Sequence, residues 1–208
     1  MKVKILIKKL NSLLINLRAH SIIRKVLNKK IKKISKKIKK GLVLEIGCGR
    51  SPYKSIIPHK KYFTLDKNKE YRSDLISDAH YLCFKNKSFD TIIITEVLEH
   101  CCEPQKVADE IYRVLKKSGV CLLSTRFIHP LHGKPNDYFR FTEYGLKHLF
   151  KKFKKIKVYR LGNKLHCIWD LISYRYFWVI LNLFNSLISL IDYEDEFSPL
   201  GYLVLCKK

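Results

Sequence analysis

The chain has 208 residues, of which 47% are hydrophobic and 29% are charged. This balance excludes a chain that is disordered throughout and predicts one globular domain with appendages. The formal net charge of +24 makes nucleic acid, an anionic lipid surface or an acidic substrate candidate partners. Much of the charge is N-terminal, because residues 1–40 contain 15 Lys or Arg and no acidic residue.

Apolar residues recur at helical spacing within this basic region, from Val3 to Leu17 and again from Leu27 to Ile38. The pattern predicts a basic amphipathic helix, or two, forming an extension over residues 1–40 ahead of a domain over residues 41–208. Three uses of the helices remain open: covering one end of a sheet, lying on an anionic membrane surface, or binding nucleic acid.

The seven cysteines are scattered without a C-x-x-C pair. This argues against a zinc or disulfide-exchange motif and predicts mostly buried thiols in a reducing cytosol. Lysines interrupt every apolar run near the N-terminus, and no small-residue cleavage site follows. The sequence therefore predicts a cytoplasmic protein without a secretory signal peptide.

From Gly41 to about Phe150, short apolar runs alternate with helical patterns. Buried strands are predicted by the runs GLVLEIG, KYFTLD, FDTIIITEV and GVCLLSTRF. Between the last two runs, a helix is predicted to begin after Pro104 and to end at Gly119. Strands that alternate with helices predict an α/β fold with a doubly wound, mostly parallel sheet.

The C-terminal third adds two strand patterns, KIKVYRL and LGYLVLCKK, with a helical insertion predicted between them at residues 167–192. Only 16 residues separate Arg175 from Asp192, which is short for a bilayer span. Five polar residues share one helical stripe: Arg175, Asn182, Asn185, Ser186 and Ser189. The insertion is therefore predicted to be a one-sided helix that packs in the core, forms a dimer contact or lies on a membrane surface.

Two glycines, Gly47 and Gly49, directly follow the first predicted strand. Glycine has no Cβ, so the backbone there can approach a ligand closely at the carboxyl edge of a parallel sheet, where nucleotide-type ligands bind. Asp66 ends the next strand, at the distance expected of an acid that holds ribose hydroxyls. A nicotinamide dinucleotide is disfavoured, because Pro52 stands where its G-x-G-x-x-G motif has the third glycine.

Four stretches occur in a characteristic order: VLEIGCG, FTLD, SDAHYLCFKNKSFDTIIITEVLEH and EIYRVLKKSGVCLLS. In this order they resemble the class I S-adenosylmethionine-dependent methyltransferase family over residues 41–150, and the resemblance resumes at the terminal strand. It implies a seven-stranded Rossmann-like sheet with S-adenosylmethionine as the cofactor. Ser51 departs from the family, whose members often carry a third glycine at this position.

The resemblance also implies roles for particular residues. Asp66 would hold the ribose, and Asp78 with Ala79 would contact adenine. A carboxylate can accept hydrogen bonds from ribose hydroxyls or from the adenine amine, whereas a phosphate ligand would be repelled by these acids. Glu96 and Glu99 are equally explained as solvated acids at a helix start. The cofactor-binding candidates are Glu45, Gly47, Cys48, Gly49, Asp66, Asp78, Ala79, Glu96 and His100.

The stretch FIHPLHGKPNDYFRFT, residues 127–142, follows the fifth strand of the family order and is predicted to form the wall of the acceptor site. His132 is the first candidate for a general base, followed by His129 and Asp137, because imidazole titrates near neutrality and a carboxylate can orient it. The same side chains serve equally well to pin the loop. A metal site built from His129, His132 and Asp137 is a further alternative, but no ligand spacing demands one and the leading prediction contains no metal ion.

The leading hypothesis is methyl transfer from S-adenosylmethionine to a hydroxyl of a small-molecule, glycan or lipid-linked acceptor, in the cytoplasm or at an anionic membrane face. The alternatives are an RNA methyltransferase, for example of ribose, and a cofactor-binding protein without catalysis. Nucleic-acid bases are disfavoured, because TEVLEH stands where base methyltransferases carry an Asp/Asn-Pro-Pro-aromatic run. The oligomeric state is left open.

Overall fold

A computed structural model describes residues 21–175, 184–191, 193 and 195–208. The strands are β1 (Gly41–Ile46), β2 (His59–Asp66), β3 (Leu75–Ile76), β4 (Phe89–Thr95), β5 (Leu115–Arg126), β6 (Lys155–Leu161) and β7 (Gly201–Lys207). The helices are α1 (Ile22–Ser35), α2 (Pro104–Val114), α3 (Glu143–Leu149) and α4 (Lys164–Arg175), and a further helical segment covers residues 184–188.

The seven strands form one sheet in the order β3-β2-β1-β4-β5-β7-β6. Strands β1 to β5 pair in parallel, whereas β7 is antiparallel to both β5 and β6. This confirms the predicted α/β fold with a doubly wound, mostly parallel sheet. The chain order reverses between β1 and β4, and the carboxyl ends of these strands open a crevice of the kind that binds ligands in such sheets.

Two apolar clusters cover the two faces of the sheet. On one face α1 buries Leu27, Ile31 and Ile34 in a cluster that contains Val43 of β1 and Ile93 of β4. On the other face α2 packs with α3 and the opposite side chains of the strands. The second half of the predicted basic extension is thus a packed layer of the fold, with its lysines outside. Where the domain begins in the sequence stays a prediction, and the stripe from Val3 to Leu17 lies outside the described residues.

One predicted boundary was wrong. Helix α2 ends at Val114 rather than at Gly119, and β5 begins at Leu115. Leu115 pairs with Phe89 of β4, and the Lys116 ammonium lies 2.9 Å from the Asp90 carboxylate. These sheet contacts override the helical propensity of the lysines.

Helix α4 reverses the usual distribution of polar and apolar residues. It buries His166 and Asp170, whereas Ile168, Leu171 and Ile172 are about half exposed. The predicted polar stripe does not share one environment either, because Asn185 is buried and Ser186 is exposed. Its members Arg175 and Asn182 have no described side chains. None of the helices in the described ranges is long and apolar enough to cross a membrane.

All seven cysteines lie in the described part of the chain, and none forms a disulfide. Only Cys83 and Cys102 are exposed. This agrees with the predicted buried thiols.

Candidate functional site

A cavity of about 920 Å³ lies at the carboxyl ends of β1, β2 and β4. Most of the predicted cofactor-binding residues line it: Gly47, Cys48, Gly49, Asp66, Asp78, Ala79, Glu96 and His100. Helix α1 closes one side with Arg24 and Asn28, and the loop of residues 127–142 reaches it with Gly133 and Asn136. The fold therefore brings together residues from β1, β2, β4, α1 and two loops.

The turn after β1 depends on its two glycines in different ways. Gly47 has a φ of +63°, and a Cβ there would lie 2.3 Å from Val97 Cγ2. Gly49 has a φ of +52°, but no atom of a non-adjacent residue in the described ranges lies within 4 Å of the position of a Cβ. Since Gly49 lines the cavity, that open space is available to a ligand that approaches the backbone closely.

Ser51 shows how the turn accommodates the missing third glycine. Its φ of 48° is in the left-handed region, and its Oγ donates a hydrogen bond of 2.5 Å to Glu45 Oε2. The Tyr62 hydroxyl donates to the same oxygen at 3.0 Å. Burial raises the pKa of Glu45, and the bonds from Ser51 and Tyr62 partly oppose this rise. Contrary to the prediction, Glu45 lies beneath the turn rather than in the cavity wall.

Asp66 stands at the end of β2 and links the two loops that border the cavity. One carboxylate oxygen accepts from the Gly49 N–H at 2.9 Å, and the other accepts from the Asn68 N–H at 2.9 Å. Each oxygen has a further lone pair, so the carboxylate can still accept from two hydroxyl groups of a ligand. The geometry suits a vicinal diol such as that of ribose.

Asp78 and Ala79 line the cavity beyond β3. Asp78 Oδ1 accepts from the His80 backbone N–H at 2.8 Å and also contacts His80 Nδ1. Burial opposes ionisation of Asp78, but the hydrogen bonds from His80 outweigh burial and lower the pKa of the carboxyl. Ala79 contributes an apolar surface that is 9% exposed. Together these two residues offer one hydrogen-bond acceptor and one apolar contact to a planar ring of a ligand.

Two acids that follow β4 lie beside Arg126 at the end of β5: Glu96 is half-buried and Glu99 is buried. Glu96 forms an ion pair with the Arg126 guanidinium and accepts from Ser124 Oγ at 2.7 Å. Burial raises the pKa of Glu96, but Arg126 and the other donors outweigh it and the net shift is downward. Burial and the neighbouring Glu96 raise the pKa of Glu99 to about 8. Glu99 is buried and Glu96 is paired with Arg126, which excludes the solvated helix-start interpretation.

Two histidines of the predicted acceptor loop, His129 and His132, lie next to His100, which was predicted on the cofactor side. The ring of His132 makes edge-to-face contacts with His100 at 4.7 Å and with His129 at 4.9 Å between centroids. His129 Nδ1 lies 2.6 Å from a carboxylate oxygen of Asp170 in α4. The cluster adjoins the cofactor cavity through His100.

Asp137 contacts both His132 and Arg140. Its carboxylate receives two hydrogen bonds from the Arg140 guanidinium, at 2.6 and 2.7 Å, and one from the His132 backbone N–H at 2.8 Å. These donors hold the pKa of Asp137 well below its usual range. Burial, followed by the neighbouring His129, lowers the pKa of His132 to about 4. His132 is therefore a neutral imidazole at physiological pH, with a lone pair to offer.

Arg24, Asn28 and Arg126 are among the cavity or near-cavity residues that were not predicted from the sequence. Arg24 and Asn28 are four residues apart on α1, so they lie on the same face of the helix. They interrupt its lysine-rich pattern, and this interruption could have indicated them. Arg24 donates to the Tyr53 hydroxyl at 3.0 Å, and Asn28 Oδ1 is buried without a hydrogen-bond partner in the described structure. No pattern in the sequence indicated Arg126, because its partner Glu96 follows the end of a different strand.

A glycine turn and an acidic strand end at the switch point of a parallel sheet define a nucleotide-binding α/β domain. Residues 44–123 match the family model described as a methyltransferase domain. The match spans 80 of the 208 residues, so it makes this segment of the chain similar to methyltransferase domains.

Solved structures confirm the fold. A SAM-dependent methyltransferase from Archaeoglobus fulgidus has a TM-score of 0.59 at 19% identity, covering 89% of this chain and 94% of that one. A possible histamine N-methyltransferase from Thermotoga maritima has a TM-score of 0.62 at 17% identity, covering 92% and 93%. The phosphoethanolamine N-methyltransferase 2 of Haemonchus contortus, solved with S-adenosylhomocysteine, has a TM-score of 0.54 at 18% identity, covering 86% and 51%.

A curated relative is an uncharacterized protein of Methanocaldococcus jannaschii, which is 31% identical over 134 residues. The alignment covers 60% of this chain and 49% of the relative. The chain thus spans about half the length of the curated relative that it matches.

Proposed function

We propose that the protein is a methyltransferase that takes its methyl group from S-adenosylmethionine. The observation that carries the proposal is the position of Asp66, whose carboxylate lies in the cavity wall and is fixed by the Gly49 and Asn68 N–H groups. A vicinal diol bound there would place a nucleoside across the open backbone at Gly49. The Haemonchus contortus enzyme of the same fold holds S-adenosylhomocysteine, which fits this assignment.

The rest of the cavity matches the other parts of that cofactor. Asp78 and Ala79 offer an acceptor and an apolar contact to adenine. Glu96 also lines the cavity, where its carboxylate is ion-paired with Arg126. S-adenosylmethionine carries its positive charge at the sulfur, so the protein's own residues bind and orient this charge without a phosphate cradle.

The acceptor side is the loop of residues 127–142, which reaches the cavity with Gly133 and Asn136. Its contents are imidazoles, a carboxylate held by an arginine, and aromatic rings, which suit a hydroxyl-bearing acceptor. His132, His129 and Asp137 remain the candidates for removing the hydroxyl proton. Methyl transfer is an in-line displacement, so the loop's main task is to align the acceptor oxygen with the methyl carbon and to exclude water.

Transfer of labelled methyl groups onto cell fractions tests this proposal. The full-length protein should label a glycan, lipid-linked or small-molecule fraction, and hydrolysis of the product should release an O-methylated compound. Labelling confined to RNA would contradict the acceptor class and would favour ribose methylation through the basic N-terminal region. Cofactor binding without labelling of any fraction would favour a protein that binds the cofactor without catalysis.

We also propose that the enzyme works at an anionic membrane surface. The exposed residues Ile168, Leu171 and Ile172 form an apolar face on α4. The lysine-rich helix α1 lies beside it, and the Lys25 ammonium donates to Ser186 Oγ at 2.6 Å in the neighbouring helical segment. An apolar face flanked by lysines matches the interfacial layer of anionic lipids, where the aliphatic side chains insert and the ammonium groups contact headgroups.

A further inference from the structure

Three potential metal ligands converge where the segment after β4 meets the loop of residues 127–142. One ligand atom from each of Glu99, His100 and His132 lies within 4.8 Å of the other two. Glu99 and His100 end a 3₁₀ turn, Leu98–His100, whereas His132 comes from the loop. We propose that these three side chains bind a divalent transition-metal ion.

The hydrogen bonds of the two imidazoles orient them as metal ligands. His100 Nδ1 lies 2.5 Å from the Asn136 carbonyl oxygen. A carbonyl only accepts, so Nδ1 carries the proton and Nε2 keeps its lone pair. His132 Nδ1 lies 3.3 Å from Asp137 Oδ2 and 3.4 Å from the Arg140 guanidinium, so it can donate to the carboxylate or accept from the guanidinium. Binding of a metal ion through Nε2 requires the first of these tautomers. Metal-binding histidines characteristically donate their second ring N–H to a carbonyl or carboxylate in this way.

The loop is built to hold His132 against His100. Gly133 has a φ of +64°, and a Cβ there would lie 2.9 Å from His100 Cε1. The Asp137 carboxylate, which is clamped by Arg140, accepts the His132 backbone N–H. The position of His132 is therefore fixed by its own backbone and by the contact of Gly133 with His100.

The charge and chemistry of the cluster fit a divalent ion. Glu99 is fully buried next to the ionised Glu96, and the Arg126 guanidinium is paired with Glu96. Glu99 itself accepts from the Thr125 hydroxyl at 3.0 Å, a bond that would orient it toward a metal. Two imidazoles and one carboxylate suit zinc, manganese, iron, cobalt or nickel better than calcium or magnesium. Ligand atoms that make bonds of about 2.1 Å lie about 3–3.5 Å apart, so small side-chain rotations would complete the site.

The ion would activate the methyl acceptor, and this step rests on the proposed function. His100 also lines the cofactor cavity, so an ion bound at this site would lie next to the methyl donor. An acceptor hydroxyl bound at a remaining position of the ion would lose its proton to solvent more readily. The oxygen then forms a bond to the methyl carbon, while the carbon–sulfur bond breaks and its electron pair stays on sulfur. His132 is a metal ligand in this scheme rather than the base.

Cobalt(II) titration of the full-length protein, stripped of metal with a chelator, tests the site. We expect one equivalent of Co²⁺ to bind and to develop visible absorption bands, and we expect His132→Ala and Glu99→Gln each to weaken Co²⁺ binding at least 10-fold. His148→Ala is the matched control, because His148 is exposed on α3 away from the cluster, and it should bind Co²⁺ like the wild type.

The outcomes separate the metal site from the proposed function. Wild-type protein that takes up no Co²⁺, or His132→Ala that binds it as the wild type does, would overturn the site. If Glu99→Gln fails to fold, the loop variant His132→Ala still decides. S-adenosylhomocysteine affinity is measured in parallel and should change less than 3-fold in His132→Ala. If the wild-type protein binds Co²⁺ but does not bind S-adenosylhomocysteine, the metal site stands and the methyltransferase proposal is refuted.

Discussion

Gly47 and Gly49 have different roles in one turn, and alanine separates them. In Gly47→Ala the new Cβ meets Val97 in a left-handed conformation, so we expect a loss of about 2 kcal/mol or more in the free energy of unfolding. In Gly49→Ala only the left-handed conformation costs energy, about 1 kcal/mol, but the methyl group enters the cavity. Urea unfolding and cofactor titration should show that Gly49→Ala loses more affinity than stability. Unchanged cofactor affinity in Gly49→Ala would refute the close approach of ligand to this backbone.

Asp66 should be the main anchor of the cofactor. Asp66→Ala removes a charged acceptor from two hydroxyls, so we expect S-adenosylhomocysteine binding to weaken by about 2–3 kcal/mol, roughly 30- to 150-fold. Calorimetric titration measures this loss.

The matched control for Asp66 is Asp74→Ala. Asp74 likewise accepts two hydrogen bonds, from the Thr64 N–H at 2.8 Å and the Thr64 hydroxyl at 2.7 Å, but it is not among the residues that line the cavity. This variant should lose stability and keep its affinity. Equal affinities in the two variants would contradict the assignment of Asp66.

Helix α1 belongs to the predicted basic extension, for which covering the sheet was one of three uses that the sequence left open. Leu27 and Ile31 are buried against the sheet, which agrees with that use. Leu27→Ala and Ile31→Ala should each lower the free energy of unfolding by about 2–5 kcal/mol, because each leaves a cavity in the core. Lys32→Ala, on the exposed face of the same helix, should change it by less than about 0.5 kcal/mol. Chemical denaturation that shows no difference between these variants would mean that α1 is not part of the cooperative fold.

The strands could be predicted because buried parallel strands are continuous apolar runs, as in GLVLEI and FDTIIIT. Helix α4 could not be oriented, because pattern analysis assumes that polar residues face water. Here Asp170 faces inward to bind His129, and this partner lies on a distant loop. The start of β5 at Leu115 was likewise missed, since only its pairing with Phe89 makes it a strand.

The residues of the candidate site likewise divide into those that could be predicted from the sequence and those that could not. The glycine turn, Asp66, Asp78 and Ala79 follow from local motifs and from the family order, and all line the cavity. Glu45 was misplaced because an acid between two apolar residues carries no sign of Ser51 and Tyr62 beneath the turn. The convergence of Glu99, His100 and His132 depends on how the loop folds back, which no local pattern encodes.

At the scale of the whole molecule, the lysines of α1 lie beside the exposed apolar face of α4. Vesicle flotation at varied phosphatidylglycerol content and salt should show binding that weakens with salt but does not vanish, because the apolar face contributes a salt-independent part. Replacing Ile168, Leu171 and Ile172 by Ser should remove that residual binding. The control replaces Ile76 and Tyr144, which are more exposed but lie outside this face, and should bind like the wild type. Wild-type protein that stays unbound to anionic vesicles at low salt would contradict the membrane proposal.

The central claim is that the cavity at the ends of β1, β2 and β4 holds S-adenosylmethionine. Isothermal titration calorimetry of the full-length protein with S-adenosylhomocysteine tests it most directly, with a nicotinamide dinucleotide as the comparison ligand. The account predicts one binding site per chain for S-adenosylhomocysteine and none for the dinucleotide, since the turn after β1 provides no pyrophosphate cradle. A folded protein that binds the dinucleotide, or that gives no heat with S-adenosylhomocysteine at millimolar concentration, would contradict it.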